Sequence, residues 1–496
     1  MTQAVQQTAT EPVDRTRLIA RLEKILPADA LLHQPEDLRP YECDGLSVYR
    51  QLPLLVALPD SIEQVQAIMR LCHELRVPVV ARGAGTGLSG GALPHAQGVL
   101  LSLARFKDIV AIDVEQRTAR VQPGVRNLAI SQAVSGHGLY YAPDPSSQIA
   151  CSIGGNVAEN SGGVHCLKYG LTVHNIRQLR VVTVEGELLS IGGSGLDAAG
   201  YDLLALMTGS EGMLAVIVEV TVGLLPKPES ARVVLAAFDD VVKAGSAVGE
   251  IIAAGIIPAG LEMMDKLAIQ AAEDFVHAGY PRDAQAILLC ELDGTHAEVA
   301  EHIARVREIL NARGATEVRT AKDEQERMTF WQGRKAAFPA VGRISPDYYC
   351  MDGTIPRKRL PEVLKAISEL SAEYQLPVAN VFHAGDGNLH PLILFDANKP
   401  GELERTEAFG GRILELCVAV GGTITGEHGV GMEKIDQMCV QFQSAELSQF
   451  HAVKAAFDPL GLLNPGKAVP TLHRCAEFGA MHVHHGELPF PELERF

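Results

Sequence analysis

The chain has 496 residues and a formal net charge of −17, with 47% hydrophobic and 21% charged residues. These values are ordinary for a globular protein of two or three domains, and the negative charge argues against a nucleic-acid partner. The polar N-terminus lacks the basic start and apolar run of a secretory signal, and no apolar stretch is long enough for a transmembrane helix.

The order of predicted elements divides the chain into four parts. Residues 1–52 form a lead-in. From 53 to 228, short apolar strands alternate with helices such as the one predicted after Ser61, where Gln64 completes a capping-box pattern. The proline-bearing segment LLPKPES (224–230) predicts a boundary. Residues 229–470 then read as an α+β domain with an antiparallel sheet, and residues 471–496 form a tail.

Two glycine-rich segments stand out in the 53–228 part. The first, RGAGTGLSGG (82–91), contains the spacing G-x-G-x-x-G, but another strand rather than a helix follows it. The acidic residue expected about 20 positions later is replaced by Arg105, so a Rossmann nicotinamide site is not indicated. Backbone N–H groups of such loops can still bind anions. Together with IGGNVAENSGG (153–163), the segment predicts a clamp for one long diphosphate cofactor.

Several stretches resemble the vanillyl-alcohol-oxidase type of FAD-binding proteins. They are the two glycine segments and YYAPDPSS (140–147), KYG (168–170) and TGSEGML (208–214). The second half is similar to the 2-hydroxyacid dehydrogenase branch of that family through FHAGDGNLHP (382–391), GEHGVG (426–431) and LNPGK (463–467). The resemblance covers almost the whole chain. It implies an α+β fold, with a two-subdomain FAD-binding domain, an α+β substrate-cap domain with an antiparallel sheet, and a C-terminal return helix.

The resemblance also implies where FAD would bind. The pyrophosphate would lie on Gly83, Ala84, Gly85, Thr86, Gly87 and Leu88. The flavin would be lined by Pro143, Asp144, Gly154, Gly155, Asn156, Asn160 and Gly163, with Glu211 and Val218 near the adenine half or the ring edge and Asn464 reaching back to the ring. Relatives with covalent flavin often carry His where this chain has Thr86, so we expect non-covalent FAD and interpret Cys151 as a small buried residue.

A second group of polar residues lies in two other glycine turns. His383 and His390 flank one turn, and Glu427 and His428 lie in the other. Two imidazoles and one carboxylate can ligate a divalent metal with open positions, so His383, His390 and Glu427 are predicted ligands. The family resemblance supports this pattern. The metal, whether zinc, manganese or iron, is left open.

The chemistry of 2-hydroxy acid oxidation gives each of these groups a role. The reaction removes a hydride and a hydroxyl proton; a metal would acidify the hydroxyl, and His428 is the predicted proton acceptor. Arg334 and Arg343 are predicted to hold the substrate carboxylate. Cys350 and Met351 stand where relatives acting on larger diacids offer Lys, which favours a small monocarboxylate such as glycolate or D-lactate.

The leading function is thus FAD-dependent oxidation of glycolate to glyoxylate, with D-lactate or D-2-hydroxyglutarate dehydrogenase as alternatives. A metal-dependent hydrolase built on His383, Asp386, His390 and Glu427 would leave the glycine segments unused, and a non-catalytic flavin scaffold would leave the His/His/Glu set unused. GLLNPGKA (461–468) lacks the Ser/Thr of a Walker A loop.

Electrons from reduced flavin need an exit, and the sequence has no C-x-x-C pair that would signal its own iron–sulfur centre. They could pass to oxygen, a soluble acceptor or another polypeptide. The resemblance implies a second FAD-domain subunit and an iron–sulfur subunit that feed membrane quinone. We expect a cytoplasmic protein held at the inner membrane by these partners, with the tail HVHHGELPFPELERF (482–496) as a docking segment.

Overall fold

The structure is a computed structural model that describes residues 13–195 and 200–471. The tail predicted as a docking segment therefore lies outside the described residues. The α-helices are α1 (Arg15–Leu22), α2 (Pro35–Leu38), α3 (Ile62–Leu75), α4 (Asn127–Val134), α5 (Ile153–Glu159), α6 (Cys166–Tyr169), α7 (Leu203–Met207), α8 (Val241–Ala253), α9 (Lys266–Val276), α10 (His296–Ala312), α11 (Glu324–Val341), α12 (Leu360–Tyr374), α13 (Glu402–Ala419), α14 (Met438–Gln441) and α15 (Ser444–Phe457).

The strands group into four sheets within the described residues. They are β1 (Leu31–Leu32), β2 (Leu55–Ala57), β3 (Val79–Arg82), β4 (Val99–Ser102), β5 (Ile109–Asp113), β6 (Thr118–Val121), β7 (Leu139–Tyr140), β8 (Ile176–Val182), β9 (Leu188–Gly192), β10 (Val216–Gly223), β11 (Leu225–Pro226), β12 (Ser230–Phe238), β13 (Gly260–Asp265), β14 (Ala286–Gly294), β15 (Glu317–Thr320), β16 (Asp347–Cys350), β17 (Val378–Phe382) and β18 (Pro391–Phe395).

The first half contains two main sheets. One has the order β1-β2-β4-β3, in which β4 pairs in parallel with β2 and β3. The other is antiparallel, with the order β5-β6-β10-β8-β9. The helix predicted behind Ser61 is confirmed as α3, and the Ser61 hydroxyl accepts a hydrogen bond from the N–H of Gln64 at 3.3 Å. The first glycine segment leaves β3 directly, so the edge of the parallel sheet positions it.

The second half is built on one seven-stranded antiparallel sheet, with the order β15-β12-β14-β13-β17-β18-β16. Its central strands are buried on both faces. Along β12, Val234 and Ala236 pack into one core, whereas Val233 and Leu235 pack into the other. Helices cover both faces of the sheet, which explains why these strands are mostly apolar; Glu262 on β13 and Glu291 on β14 are buried exceptions. The predicted fold class, including the antiparallel sheet, is confirmed.

The end of the described chain returns to the first half. The N–H of Val79 donates to the carbonyl of Leu462 at 2.8 Å, so residues 462–464 lie beside β3. The ammonium group of Lys454 on α15 donates to the carbonyls of Met213 and Leu463, each at 2.7 Å. It also contacts Asp458, a buried carboxylate, at 2.6 Å. Through these hydrogen bonds of Lys454, the return helix α15 is attached to the first half of the chain.

Among the described residues, no helix combines the length and apolar character needed to cross a membrane.

Candidate active site

One cleft of about 500 Å3 joins the two halves of the molecule. The residues from Gly83 to Leu88 line it, and so do Gly154, Gly155 and Asn156 at the start of α5. A side chain would not fit at two of these glycines. A Cβ on Gly83 would overlap the Ser152 hydroxyl, and one on Gly85, where φ is +69°, would overlap the Arg82 guanidinium. The backbone therefore forms the cleft wall, as a diphosphate cofactor requires.

The other residues predicted to contact the cofactor divide into two groups. Glu211 lines the cleft together with Cys151, which is buried as expected. The remaining residues, namely Pro143, Asp144, Asn160, Gly163, Val218 and Asn464, are not among those that line it.

Three of these residues lie behind the residues that line the cleft. The carbonyl of Pro143 accepts a hydrogen bond from Asn127, whose side chain also bonds Asn156. Val218 is fully buried in the core beside β3. The Asn464 amide donates to the carbonyls of Gly91 and Glu211 at 2.9 and 2.7 Å.

The far end of the cleft is lined by His390, Glu427 and His428. His383 directly follows β17 and His390 directly precedes β18, so a tight turn between two paired strands brings their rings to a centroid separation of 5.0 Å. Glu427 Oε1 lies 3.3 Å from His383 Nε2 and 3.2 Å from His390 Nε2. The fold thus brings together the three residues predicted as metal ligands.

The donor atoms of this cluster fit a cation. Nδ1 of His390 and Nδ1 of His428 are buried and have no hydrogen-bond partner within the described part of the chain, whereas Nε2 of His390 lies 3.2 Å from Glu427 and 3.4 Å from Asp352. One ligand atom each from His390, Glu427, His428 and Asp352 lie within 4.8 Å of one another. Asp352 was not predicted from the sequence. The residues present can therefore hold a divalent metal. His390 and Glu427 belong to both possible ligand sets, and either His383 or Asp352 completes the set.

The turn that carries Glu427 and His428 is fixed by two buried carboxylates. Asp352 accepts hydrogen bonds from the N–H groups of Gly426 at 3.0 Å and His428 at 2.8 Å. On the other side, Glu211 accepts from the N–H groups of Val430 and Gly431, each at 2.7 Å. Glu211, predicted to lie near the cofactor, thus also holds the turn that bears the predicted base.

The electrostatic surroundings leave His428 neutral. Burial lowers its pKa to about 4, and the positive charges of His390 and Lys434 act in the same direction, against the carboxylates of Asp352 and Glu427. Its ring stacks on that of His390, with centroids 4.8 Å apart. A neutral imidazole at the cleft is able to accept a proton.

The two arginines predicted as carboxylate clamps lie in different surroundings. Arg334 on α11 is fully buried, and its Nη2 lies 2.6 Å from Glu262 Oε2. The other oxygen of Glu262 is 2.9 Å from His383 Nδ1, so Arg334 supports a predicted ligand through this carboxylate. Arg343 is exposed and donates to the backbone carbonyl of Asp274 at 2.7 Å. The fold therefore does not bring Arg343 to the cleft.

Sequence reasoning did not select the cleft residues contributed by α11 and β16. Lys335, Phe338 and Tyr348 line the cleft, and the Phe338 ring meets the His390 ring edge-on at 6.0 Å. Lys335 follows Arg334 directly, so only the rotation of the helix decides which of the two cations faces the cleft. No sequence motif pointed to Glu262 or Asp352 either. Each is a single carboxylate, Glu262 within a strand and Asp352 just after one, with no patterned polar residues around it.

Two family descriptions match the chain. The one described as FAD binding domain covers residues 53–192, and the one described as FAD linked oxidases, C-terminal domain, covers residues 227–468. The chain is 70% identical over 488 residues to the glycolate oxidase subunit GlcD of Escherichia coli K12, covering 98% of each chain. It is 40% identical to the glycolate oxidase subunit GlcD of Bacillus subtilis, covering 86% of this chain and 91% of the relative.

A solved structure of p-cresol methylhydroxylase with substrate bound superposes with a TM-score of 0.78. The superposition covers 92% of this chain and 97% of that one, at 17% identity, and this likeness concerns the fold alone.

The glycine wall of the cleft can be tested with a matched pair of variants. Gly85→Ala forces a side chain into a left-handed conformation, which costs about 1–2 kcal/mol, and into the Arg82 guanidinium. We expect FAD affinity to fall by about tenfold or more. Gly136→Ala, where a Cβ would meet nothing within 4 Å, is the control and should bind FAD normally. FAD recovered in the supernatant after acid precipitation measures occupancy. Equal occupancy in the two variants would exclude a cofactor role for this segment.

Proposed function

The chain belongs to the FAD-linked oxidases, and we propose that it is an FAD-dependent 2-hydroxyacid dehydrogenase that oxidises glycolate to glyoxylate. The observation that carries the proposal is the continuity of the cleft. The glycine segments of the FAD-binding region and the side chains of His390, Glu427 and His428 line the same cavity. A substrate bound there would have the cofactor wall on one side and the imidazole cluster on the other.

The cofactor in this proposal is FAD held without a covalent bond. Thr86 stands where relatives with covalent flavin often carry His, so a histidyl linkage cannot form there, and the backbone of Gly83 to Leu88 supplies N–H groups for the diphosphate. Bound FAD would take the hydride from the carbinol carbon. The remaining tasks fall to the chain: binding the carboxylate, orienting the hydroxyl and receiving its proton.

We assign proton acceptance to His428 and metal binding to His383, His390 and Glu427. The neutral state of His428 supports the first role, and the contacts of Glu427 Oε1 with both imidazoles support the second. A divalent ion in this set would lower the pKa of the substrate hydroxyl. Lys335, which lines the cleft, is the cation we assign to the carboxylate, while Arg334 acts through Glu262 and His383.

The substrate can be identified by anaerobic bleaching of the flavin with a panel of 2-hydroxy acids. Cys350 and Met351 are buried and provide no cation for a second carboxylate, so glycolate should bleach the flavin faster than D-2-hydroxyglutarate. D-lactate differs from glycolate by one methyl group, and the relative rates at which the two acids bleach the flavin show which of them is preferred. If D-lactate or D-2-hydroxyglutarate bleaches the flavin fastest, the assignment of glycolate as the substrate is wrong.

The division of roles between His428 and the ligands predicts opposite phenotypes. His428→Ala should reduce turnover by roughly 10²–10⁴, the usual contribution of a general base, and leave bound metal unchanged. His390→Ala should lose the metal. Metal analysis of both purified variants, alongside turnover, is the measurement. Loss of metal from His428→Ala would show that His428 is a metal ligand rather than the proton acceptor. A normal rate of flavin reduction after the metal has been chelated would show that the metal takes no part in the reaction.

We further propose that this chain works in a complex. The relative with 70% identity is named as a subunit of glycolate oxidase, and the sequence offers no C-x-x-C pair for an iron–sulfur centre. A second FAD-domain subunit and an iron–sulfur subunit would carry electrons to membrane quinone, which would hold this chain at the cytoplasmic face of the inner membrane. The segment 482–496, within the C-terminal tail, is the docking segment that we propose.

Deleting residues 476–496 tests this assignment. The truncated chain should bind FAD and be reduced by glycolate at the normal rate, because the cleft residues all precede the deletion. Co-purification with partners and quinone-linked turnover should be lost. The full-length chain is the control. Quinone-linked turnover by the isolated full-length chain would contradict the need for partners.

A further inference from the structure

Glu159 is a buried carboxyl group in the cofactor cleft to which the proposed reaction gives no role. It is the last residue of α5 and lines the cleft. Two glycines from distant parts of the chain leave space for its side chain. A Cβ on Gly91 would lie 2.8 Å from Glu159 Oε1, and a Cβ on Gly429 would overlap Glu159 Oε2. The carboxyl group therefore lies between the first glycine segment and the turn that carries His428.

Glu159 has a second carboxyl group as its neighbour. The same Cβ position on Gly429 that overlaps Glu159 Oε2 is 3.0 Å from Glu211 Oε1, so the two side chains lie close together. Two buried carboxylates in such proximity repel each other when both are ionised, which favours retention of one proton by the pair.

The hydrogen bonds decide which of the two carries that proton. Both oxygens of Glu211 accept backbone N–H groups, which stabilises its ionised form. Glu159 Oε2 is buried without a hydrogen-bond partner among the described residues. Burial and the charges of Glu211 and Asp44 raise the pKa of Glu159 well above its usual value, although Lys434 and Lys467 oppose them. Burial also raises the pKa of Glu211, but the two backbone hydrogen bonds oppose that rise, so these surroundings favour the neutral form at Glu159 rather than at Glu211.

We propose that Glu159 is a neutral carboxylic acid at neutral pH, that it donates a hydrogen bond to the cofactor, and that it thereby favours the reduced form of bound FAD. The proposal rests on the assignment of FAD to this cleft. Reduction adds negative charge to the flavin, and a neutral donor stabilises that charge, whereas a carboxylate would oppose it. Glu159 is thus assigned as a residue that sets the reduction potential, separate from the proton acceptor His428.

The protonation state can be read directly by infrared difference spectroscopy of the FAD-loaded chain. The redox difference spectrum of the wild type should contain the carbonyl stretch of a protonated carboxylic acid, and Glu159→Gln should remove it. Glu219→Gln is the matched control. Glu219 is a buried glutamate on β10, does not line the cleft and lies 3.8 and 3.7 Å from Arg120 and Arg180. A wild-type spectrum without a band that depends on Glu159 would overturn the proposal.

The potential of bound FAD provides the second measurement. Glu159→Gln keeps a neutral donor and should leave the potential near that of the wild type. Glu159→Leu removes the donor and should shift the oxidised-to-reduced equilibrium about tenfold toward oxidised FAD, roughly 30 mV for a two-electron couple. An unchanged potential in Glu159→Leu would overturn the proposal. If Glu159→Leu does not retain FAD, Glu159→Gln becomes the test, and a reduction potential in that variant that differs from the wild type would overturn the proposal. Bleaching of the wild-type flavin by glycolate tests the proposed function independently of the role of Glu159.

Discussion

The site depends on how the turn from Gly426 to Gly431 is held between two buried carboxylates. Asp352, from the second half of the chain, accepts the N–H groups at the start of the turn. Glu211, from the first half, accepts those at its end. Buried N–H groups must find acceptors, and charged acceptors form the stronger hydrogen bonds. The turn can therefore occupy this position only when both halves are packed together, and it carries Glu427 and His428 with it.

The same packing explains the small residues around the turn. A Cβ on Gly162 would overlap the Glu427 carboxylate, and one on Gly431 would overlap the carbonyl of Ser89. The second glycine segment thus has a role besides lining the cofactor cleft, because it makes room for a group from the other half. This is why the glycine segments and the imidazole cluster share one cavity.

Buried charge around the cluster is paired at each step. Arg334 contacts Glu262, Glu262 contacts His383, and His383 contacts Glu427. Removing one member of such a chain leaves a buried charge without its partner, at a cost of roughly 3–5 kcal/mol. The benefit of the arrangement is orientation. The carboxylate of Glu262 holds the His383 ring so that Nε2 faces the shared Glu427 oxygen, as supporting residues do around metal ligands.

The sequence by itself determined the features that depend on local backbone chemistry. The glycine segments, the helix behind Ser61, the turns around His383 and His390 and the turn of Glu427 are each a few residues long, and their spacing is visible without a fold. Tertiary structure decided which isolated side chains join them. Glu262 lies in an ordinary strand and Asp352 just after one, and both become part of the site through contacts with residues far away in sequence. Glu159 lies within the second glycine segment, but only the fold brings it beside Glu211 and Gly429. Between neighbouring cations, Lys335 lines the cleft and Arg334 is buried, because the orientation of α11 on the sheet is set by packing over the whole helix.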